Sequence, residues 1–271
     1  MNKAVIAKKN SENFLVGYFF KGEIKNLIIS LYTFARHCDD IADSTRLTSI
    51  AKKNRLEVIN NEIKHCLSAK PKNKLIKTLL KELIKHQISY QYIKDLMNGF
   101  IQDAKKEKYK NLKELYDYCK LSANSVGRIY LEAHQQYNPL LYKKSDYICT
   151  ALAMIDMTQD IKEDLNIPRV YIPQSFFKKY NIKIEDIKKR NFTINWQLFA
   201  KDWLALIDTS LNKGRDLYQN LSGRFRFEVK IITFAAIYLV KKLKKNNNFF
   251  MNNKLSKLDW IIIFLKTFFT K

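Results

Sequence analysis

Apolar residues recur every three or four positions along most of the chain, a spacing that predicts helices rather than strands. Only 6 glycines and 4 prolines are scattered through 271 residues, which disfavours a turn-rich β protein and shows no flexible linker. The sequence therefore predicts an all-α protein. The predicted helices cover about 24–43, 49–70, 73–103 (one helix or two), 111–136, 144–166, 195–222 and 225–244.

Carboxylates occur four residues apart at the end of the first long helix. Asp39 and Asp43 share one helical face, and Arg36 lies on the same side three residues earlier. Like charges at this spacing destabilise an isolated helix by a few tenths of a kcal/mol, which a divalent cation would offset. Taken alone, this cluster and the adjacent Asp40 are also typical of a solvated helix end.

A second acidic row makes a binding site the better interpretation. Asp156, Asp160 and Asp164 follow one another at strict four-residue spacing, while Ile155 and Met157 keep the other faces apolar. Such a row is a poor pattern for a solvated face and favours the lining of a cleft. Two acidic helices facing each other would hold Mg²⁺ ions between them and draw diphosphate from a substrate.

Three segments carry a resemblance to a known family. Residues 34–43 (FARHCDDIAD), 159–164 (QDIKED) and 169–173 (RVYIP) resemble the squalene/phytoene synthase family, and the likeness runs from about residue 11 to about 240. The resemblance implies the isoprenoid-synthase fold, with helices around a central apolar pocket and two facing acidic helices. Residues 11–14 and 118–128, with Gln159, are most similar to the hydroxysqualene synthase branch of bacterial hopanoid synthesis.

The resemblance also implies roles for individual side chains. The implied metal ligands are Asp39, Asp43, Asp156 (usually Asn in the family), Asp160 and Asp164. The implied catalytic residues are Tyr118 with Asp39, Asp43, Asp160 and Asp164. The implied contacts to substrate and diphosphate are Ser11, Asn13, Tyr32, Arg36, Asn124, Gln159, Arg169, Tyr171 and Tyr238.

Several positions also fit a purely structural role. Ser11 also fits a plain helix cap, and Tyr118 and Tyr238 also fit ordinary core packing. Gln102 and Asp103 are interpreted as local capping or pairing residues. Gly127 inside a helix costs roughly 1 kcal/mol relative to alanine, which indicates close approach of another group, here interpreted as a prenyl tail.

The resemblance narrows the expected reaction to presqualene diphosphate plus water giving hydroxysqualene and diphosphate, with Mg²⁺ and without NADPH. Gln159 replaces an arginine common in condensing relatives, and a neutral amide such as Gln159 or Asn124 can hold a water by donating and accepting. The first alternative is condensation of two farnesyl or geranylgeranyl diphosphates to presqualene diphosphate, squalene or phytoene. The second is a non-catalytic assembly factor of a membrane complex, which the intact aspartates disfavour.

The net charge of +23 has two interpretations. It would attract diphosphate or an anionic membrane surface, or it reflects a chain rich in lysine, asparagine and isoleucine throughout. Basic and aromatic residues are not interleaved as in nucleic-acid binders, so a nucleic-acid partner is not expected. Four widely spaced cysteines predict free thiols in a reducing compartment, and hence a cytoplasmic protein.

The last residues differ from the rest of the chain. We predict a single domain over 1–245 and a basic, aromatic tail over 246–271. The apolar run at 260–269 is too short to span a bilayer, so it fits a helix lying on the inner membrane face or one docked on the domain. No signal peptide is indicated at the N-terminus. Other enzymes of the same pathway are expected partners.

Overall fold

The computed structural model of the chain describes residues 22, 24–65, 71–105, 108–161, 163–166, 169–246 and 255–269. Within these ranges the chain is helical and contains no β-strand, only an isolated bridge between Lys108 and Val170. The prediction of an all-α protein is confirmed. The helices are α1 (Ile24–Ala42), α2 (Ser49–Lys64), α3 (Lys74–Lys85), α4 (Gln91–Asp103), α5 (Leu112–Cys119), α6 (Ser125–Ala133), α7 (Pro139–Gln159), α8 (Gln174–Tyr180), α9 (Ile184–Lys188), α10 (Ile194–Gly214), α11 (Gly223–Asn246) and α12 (Lys257–Phe269).

The central helix predicted over 111–136 is interrupted by a turn of π-helix. The π turn covers Lys120–Asn124 and joins α5 to α6, and the Ser125 hydroxyl donates to the Lys120 carbonyl across it. Turns of this kind are rare, and they occur often at functional sites. Tyr118 lies just before the turn and Asn124 is its last residue, so the turn changes the angle between their side chains about the helix axis.

Helix α7 differs at both ends from the helix predicted over 144–166. It begins at Pro139, where the Asn138 side chain accepts from the Leu140 amide and proline is tolerated in the first turn. It ends at Gln159, so Asp160 and Asp164 lie beyond it, the latter in a 3₁₀ turn over Glu163–Asn166. The prediction of one acidic helix through 166 is wrong. Carboxylates at a helix C-terminus oppose the helix dipole, which is a physical reason for the helix to end there.

Helix α7 is the central element, and it packs along α10 and beside α6. A β-carbon on Gly127 would lie 2.5 Å from both the Ser145 Oγ and the Cys149 Sγ, and one on Gly214 would lie 2.5 Å from the Lys144 carbonyl oxygen. These two glycines therefore let α6 and α10 approach α7 closely. At Gly127 the closest neighbour is therefore the helix α7, and the interpretation that the glycine also makes room for a prenyl tail stays a prediction.

The predicted tail contains a helix that is docked on the rest of the chain. Helix α12 packs against α11, with Ile263 and Thr267 buried in the contact. No helix in the described ranges combines the length and apolarity needed to cross a bilayer. The boundary between domain and tail at 245/246 stays a prediction.

Candidate active site

An apolar cavity of about 430 Å³ lies between α1, α6, α7 and α11. Its walls are almost entirely carbon, and Tyr32, a predicted substrate contact, is among them. Such a cavity suits a hydrocarbon chain rather than a polar ligand. The lining residues are Ile28, Leu31, Tyr32, Ala35, Val126, Gly127, Ile129, Tyr130, Leu131, Ser145, Ile148, Cys149, Leu152, Leu217, Phe225, Val229, Ile232 and Thr233.

The predicted acidic rows begin one helical turn beyond this lining, and we call them together the acidic end (Asp39, Asp43, Asp156, Asp160 and Asp164). On α1 the cavity residue Ala35 precedes Asp39 by four positions, and on α7 Leu152 precedes Asp156 by four. Four residues advance a helix by about 6 Å. Both helices thus line the cavity and then place carboxylates at or just past their C-terminal ends.

The carboxylates of the acidic end are close enough to disfavour one another's charge. Burial, and next the neighbouring Asp43, raises the pKa of Asp39 to about 7. Burial also raises the pKa of Asp164 to about 7, Arg169 opposes the rise, and Asp160 and Asp43 add to it. Because Asp43 follows α1 and Asp164 follows α7, the two acidic segments face each other.

Two arginines were expected to hold diphosphate, and both pair with carboxylates in the structure. Arg169 is buried, and its guanidinium donates to Asp43 and, at 3.0 Å, to the Tyr171 hydroxyl. Its Nε is buried with no hydrogen-bond partner within the described residues. Arg36 is half-exposed and pairs with Asp40 at 2.7 Å and with Asp39 at 3.5 Å. Arg169 therefore bears on the site mainly by fixing Asp43.

Asp103, interpreted from the sequence as a local cap, is the centre of a buried hydrogen-bond network. It accepts from the Tyr118 hydroxyl at 2.8 Å and from the Tyr171 hydroxyl at 3.1 Å, and these hydroxyls lie 3.2 Å apart. The Tyr109 ring stacks on Tyr171 with centroids 5.7 Å apart. Burial raises the pKa of Asp103 to about 6, although Arg169 and both hydroxyls oppose the rise.

This network brings together two residues that the family resemblance indicated and adds a third. Tyr118 and Tyr171, predicted from the family resemblance, do come together, and Arg169 connects them to Asp43 of the acidic end. Asp103 was missed because a single carboxylate at the end of a helix carries no distinguishing spacing. Its partners lie 15 and 68 residues away in sequence, so only the fold brings them to it.

Asn124 and Gln159, each expected from the sequence to be able to hold a water, are not brought together. Asn124 is buried, does not line the cavity, and accepts from the Thr150 hydroxyl at 3.1 Å. Thr150 precedes Gln159 by nine residues on α7, a distance of about 13 Å along the helix axis. The two amides are therefore too far apart to act on the same water, and a role for either one alone stays a prediction. Gln159 itself is half-buried at the end of α7, next to Asp160.

Tyr238, predicted as a pocket residue, lies elsewhere. Its hydroxyl is hydrogen-bonded to Asp259 of α12, and the cavity is lined by Val229, Ile232 and Thr233 on the opposite side of α11. The helical spacing of 100° per residue puts position 238 about half a turn from 229, which is why the prediction is wrong. Ser11 and Asn13 lie outside the described residues.

The donor chemistry of the acidic end fits a hard divalent cation. Carboxylate oxygens come from both sides, and two helix C-termini add their own negative partial charge. The raised pKa values of Asp39 and Asp164 come first from burial, and neighbouring carboxylates add to the rise. Within the described residues, no three Asp, Glu, His or Cys side chains are grouped tightly enough to hold a metal unaided. Mg²⁺ usually binds one or two carboxylates together with substrate phosphates, so the donor set suits binding with diphosphate.

Comparison with known proteins leads to the same family as the sequence motifs. A family model for squalene/phytoene synthases matches residues 6–260. Hydroxysqualene synthase of Sinorhizobium fredii is 29% identical over 238 residues, which covers 87% of this chain and 80% of that protein. Hydroxysqualene synthase of Zymomonas mobilis is 28% identical over 249 residues, with the same coverage of both. A chloroplastic phytoene synthase of an Oncidium hybrid is 23% identical over 93% of this chain and 63% of its own length.

Solved structures share the fold. Squalene synthase HpnC from Alicyclobacillus acidocaldarius superposes with a TM-score of 0.79 at 21% identity, over 90% of this chain and 92% of that one. A dehydrosqualene synthase in complex with a ligand gives a TM-score of 0.83 at 15% identity, over 97% and 93% of the two chains. At these identities the superpositions show the architecture alone.

Proposed function

Because the chain belongs to the squalene/phytoene synthase family, we propose that this enzyme converts presqualene diphosphate and water to hydroxysqualene and diphosphate. That it is a squalene/phytoene synthase-like isoprenoid synthase follows from the family match and from relatives at 25–29% identity. The narrower reaction is supported by the names of those relatives, which are hydroxysqualene synthases. Members of this family use a divalent metal to ionise prenyl diphosphates.

The observation that carries the proposal is the succession of two environments along the same helices. The cavity lining on α1 and α7 is apolar up to Ala35 and Leu152, and the acidic end begins four residues later on each. A prenyl diphosphate has the same division, because its hydrocarbon chain is apolar and its head group is anionic. The cavity would take the chain, and the acidic end would take the head group with its cations.

Mg²⁺ would be held by diphosphate oxygens together with carboxylates from both sides of the site. These are Asp39 and Asp43 on one side, and Asp156, Asp160 and Asp164 on the other. Bound there, Mg²⁺ supplies Lewis-acid stabilisation of the negative charge that develops on the departing diphosphate. Arg169 keeps the Asp43 carboxylate in place, and Arg36 stands beside Asp39 at the surface. The acidic end thus confines charge separation to one end of the cavity.

The remaining side chains control what meets the carbocation. Carbon walls exclude bulk water from the cavity, so a cation formed there is protected from indiscriminate quenching. The hydroxyls of Tyr118 and Tyr171, held by Asp103, are polar atoms fixed close to the acidic end. We propose that these hydroxyls orient the substrate's reacting carbons and the attacking water.

The proposed reaction balances without a reductant. The carbon–oxygen bond to diphosphate breaks and the electron pair leaves with the diphosphate. A water oxygen then bonds to carbon and releases a proton, so no electrons are gained or lost overall. Conversion to squalene would instead require a hydride donor such as NADPH, which the proposal does not need.

The test supplies presqualene diphosphate and Mg²⁺ in H₂¹⁸O, with and without NADPH, and identifies products by mass spectrometry. We expect an alcohol carrying one ¹⁸O in equal yield in both cases. Squalene formed only with NADPH would contradict termination by water. Consumption of farnesyl diphosphate alone, in parallel reactions, would instead place the chain among the condensing synthases.

We also propose that the enzyme works in the cytoplasm at a membrane surface, next to the enzymes that supply its substrate and consume its product. The net charge of +23 supports attraction to anionic lipid, and the expected hydrocarbon product dissolves in lipid rather than in water.

A further inference from the structure

Helix α12 is apolar on two opposite faces, and only one of them is covered by the rest of the chain. The inner face packs on α11, where Ile263 is buried and Phe227 contacts the rings of Phe264 and Phe268 with centroids 5.7 and 5.0 Å away. Asp259 bonds to Lys242 of α11 at 3.0 Å. These contacts fix the rotation of α12 about its own axis.

The outer face, which we call the α12 stripe, consists of Leu258, Ile261 and Leu265. Their spacing of three and four residues keeps them in one line along the helix. They are 65%, 55% and 50% exposed, respectively, and Phe269 on the same side is 84% exposed. Scattered exposed apolar residues are ordinary, but a continuous row on a helix is a feature of contact surfaces.

The charged residues that border the α12 stripe are positive. Lys257 and Lys266 are exposed, and helical geometry places them roughly a quarter-turn to either side of the stripe. The single acidic residue of α12, Asp259, is turned inward and its side chain is only 13% exposed. The outer surface of the helix is therefore an apolar row bordered by lysines.

We propose that the α12 stripe docks on the surface of an anionic lipid bilayer. A helix with an apolar face bordered by lysines lies in the plane of a membrane interface, with the ammonium groups at the level of the lipid phosphates. A second copy of the chain is disfavoured as the occupant, because two molecules that each carry +23 repel one another. No spanning segment is needed for this mode of attachment.

The inference deepens the membrane-surface location proposed above, and it gives that location a specific surface. In this orientation α12 would lie parallel to the bilayer, with α11 between it and the cavity. Vesicle binding requires no turnover, so docking can be tested independently of the reaction. If the docking proposal is wrong, turnover of detergent-dispersed substrate is not affected. If the proposed reaction is wrong, binding to vesicles is not affected.

The experiment compares three full-length proteins by flotation with phosphatidylcholine vesicles, with and without phosphatidylglycerol. The stripe variant carries Leu258→Gln, Ile261→Gln and Leu265→Gln. The matched control carries Ile50→Gln, Val58→Gln and Ile84→Gln, three apolar residues on α2 and α3 that are at least as exposed as those of the stripe. We expect the wild type and the control to float with phosphatidylglycerol vesicles, and the stripe variant to partition at least about tenfold less.

Circular dichroism and thermal melting of the stripe variant should match the wild type, because the three side chains project away from α11. A single charge-reversal variant, Lys266→Glu, provides a second measurement and should weaken flotation only with phosphatidylglycerol. Unchanged flotation of the stripe variant, or equal loss in the control, would overturn the proposal. So would light scattering that shows a wild-type dimer which the stripe variant breaks, since the stripe would then join two copies.

Discussion

The acidic end and the apolar cavity lie on the same two helices, α1 and α7, but they come from different parts of those helices. The cavity is lined by residues inside the helices, where backbone hydrogen bonds are complete and the side chains are carbon. The acidic end comes from the last turn and the residues after it, where carbonyl groups lack helical partners and carboxylates crowd together. One region needs no ligand to be stable, and the other accumulates charge that a ligand would neutralise.

This difference indicates a division of labour. Residues inside the helices should determine which hydrocarbon fits, and residues at the helix ends should determine whether diphosphate leaves. The two can then be altered separately. The predictions below test that separation, beginning with the acidic end, where we expect the largest effect.

Asp160→Asn should remove most of the activity, because it deletes a negative charge from the set of carboxylates that would hold Mg²⁺. We expect a loss of roughly 100-fold or more in kcat/KM, the size seen when one charge-stabilising group is removed from an active site. The helical circular dichroism should not change, since Asp160 lies just beyond α7. Activity close to that of the wild type would show that the acidic end is not the site of ionisation.

Asp103→Asn tests whether the tyrosine network acts through its buried carboxylate. The variant keeps the shape but weakens the two hydrogen bonds that fix Tyr118 and Tyr171, so we expect a loss of roughly 10- to 100-fold in kcat. KM should change less, because neither the cavity nor the acidic rows are altered. The control is Asp95→Asn on the same helix α4, where a partly exposed carboxylate accepts from the Gln91 side chain, and it should be neutral.

Phe225→Leu should change which substrates fit rather than how fast diphosphate leaves. Phe225 lines the cavity, stacks on His134 with centroids 3.6 Å apart, and meets Tyr130 edge-on. Shortening this side chain enlarges the cavity away from the acidic end. We expect the ratio of kcat/KM for a substrate with longer prenyl chains to kcat/KM for the normal substrate to rise several-fold. This corresponds to a change of about 1 kcal/mol in the discrimination between the two substrates. The control is Phe234→Leu, because Phe234 lies on α11 but does not line the cavity. This variant should leave the ratio for the two substrates unchanged.

The acidic end should also lower stability when no metal is present. The pKa of Asp164 is raised to about 7 in the folded protein from 3.8, so its charge destabilises the fold above pH 4 and the cost grows until about pH 7. In EDTA, Asp164→Asn should therefore have a Tm a few degrees above the wild type at pH 8, and the gap should close towards pH 4. Adding Mg²⁺ with diphosphate should stabilise the wild type more than the variant, and an equal response would count against metal binding there.

How far the sequence could anticipate these regions depends on the range of the interactions. Helix α1 and its carboxylate spacing follow from local periodicity, and the predicted boundary is within one residue of Ala42. The facing of the two rows required the family resemblance, because nothing local connects Asp43 to Asp164. Asp103 could not be predicted, since its partners come from α5 and from the segment after α7. The end of α7 was missed because apolar residues such as Ile161 continue the helical spacing beyond it.

The smallest effect is expected for Tyr238, which the sequence predicted to line the pocket and which the structure places against α12. Tyr238→Phe removes one hydroxyl that bonds to Asp259 on α12, and a single solvent-accessible hydrogen bond of this kind contributes little to stability. Because Asp259 also holds Lys242 and the Ser256 amide, α12 should stay docked. We therefore expect kcat, KM and product to be unchanged, whereas Tyr118→Phe, measured in parallel, should lower kcat through loss of its bond to Asp103. If Tyr238→Phe reduced kcat as strongly as Tyr118→Phe, the side of α11 that faces α12 would take part in the reaction, and the separation of cavity from surface described here would not hold.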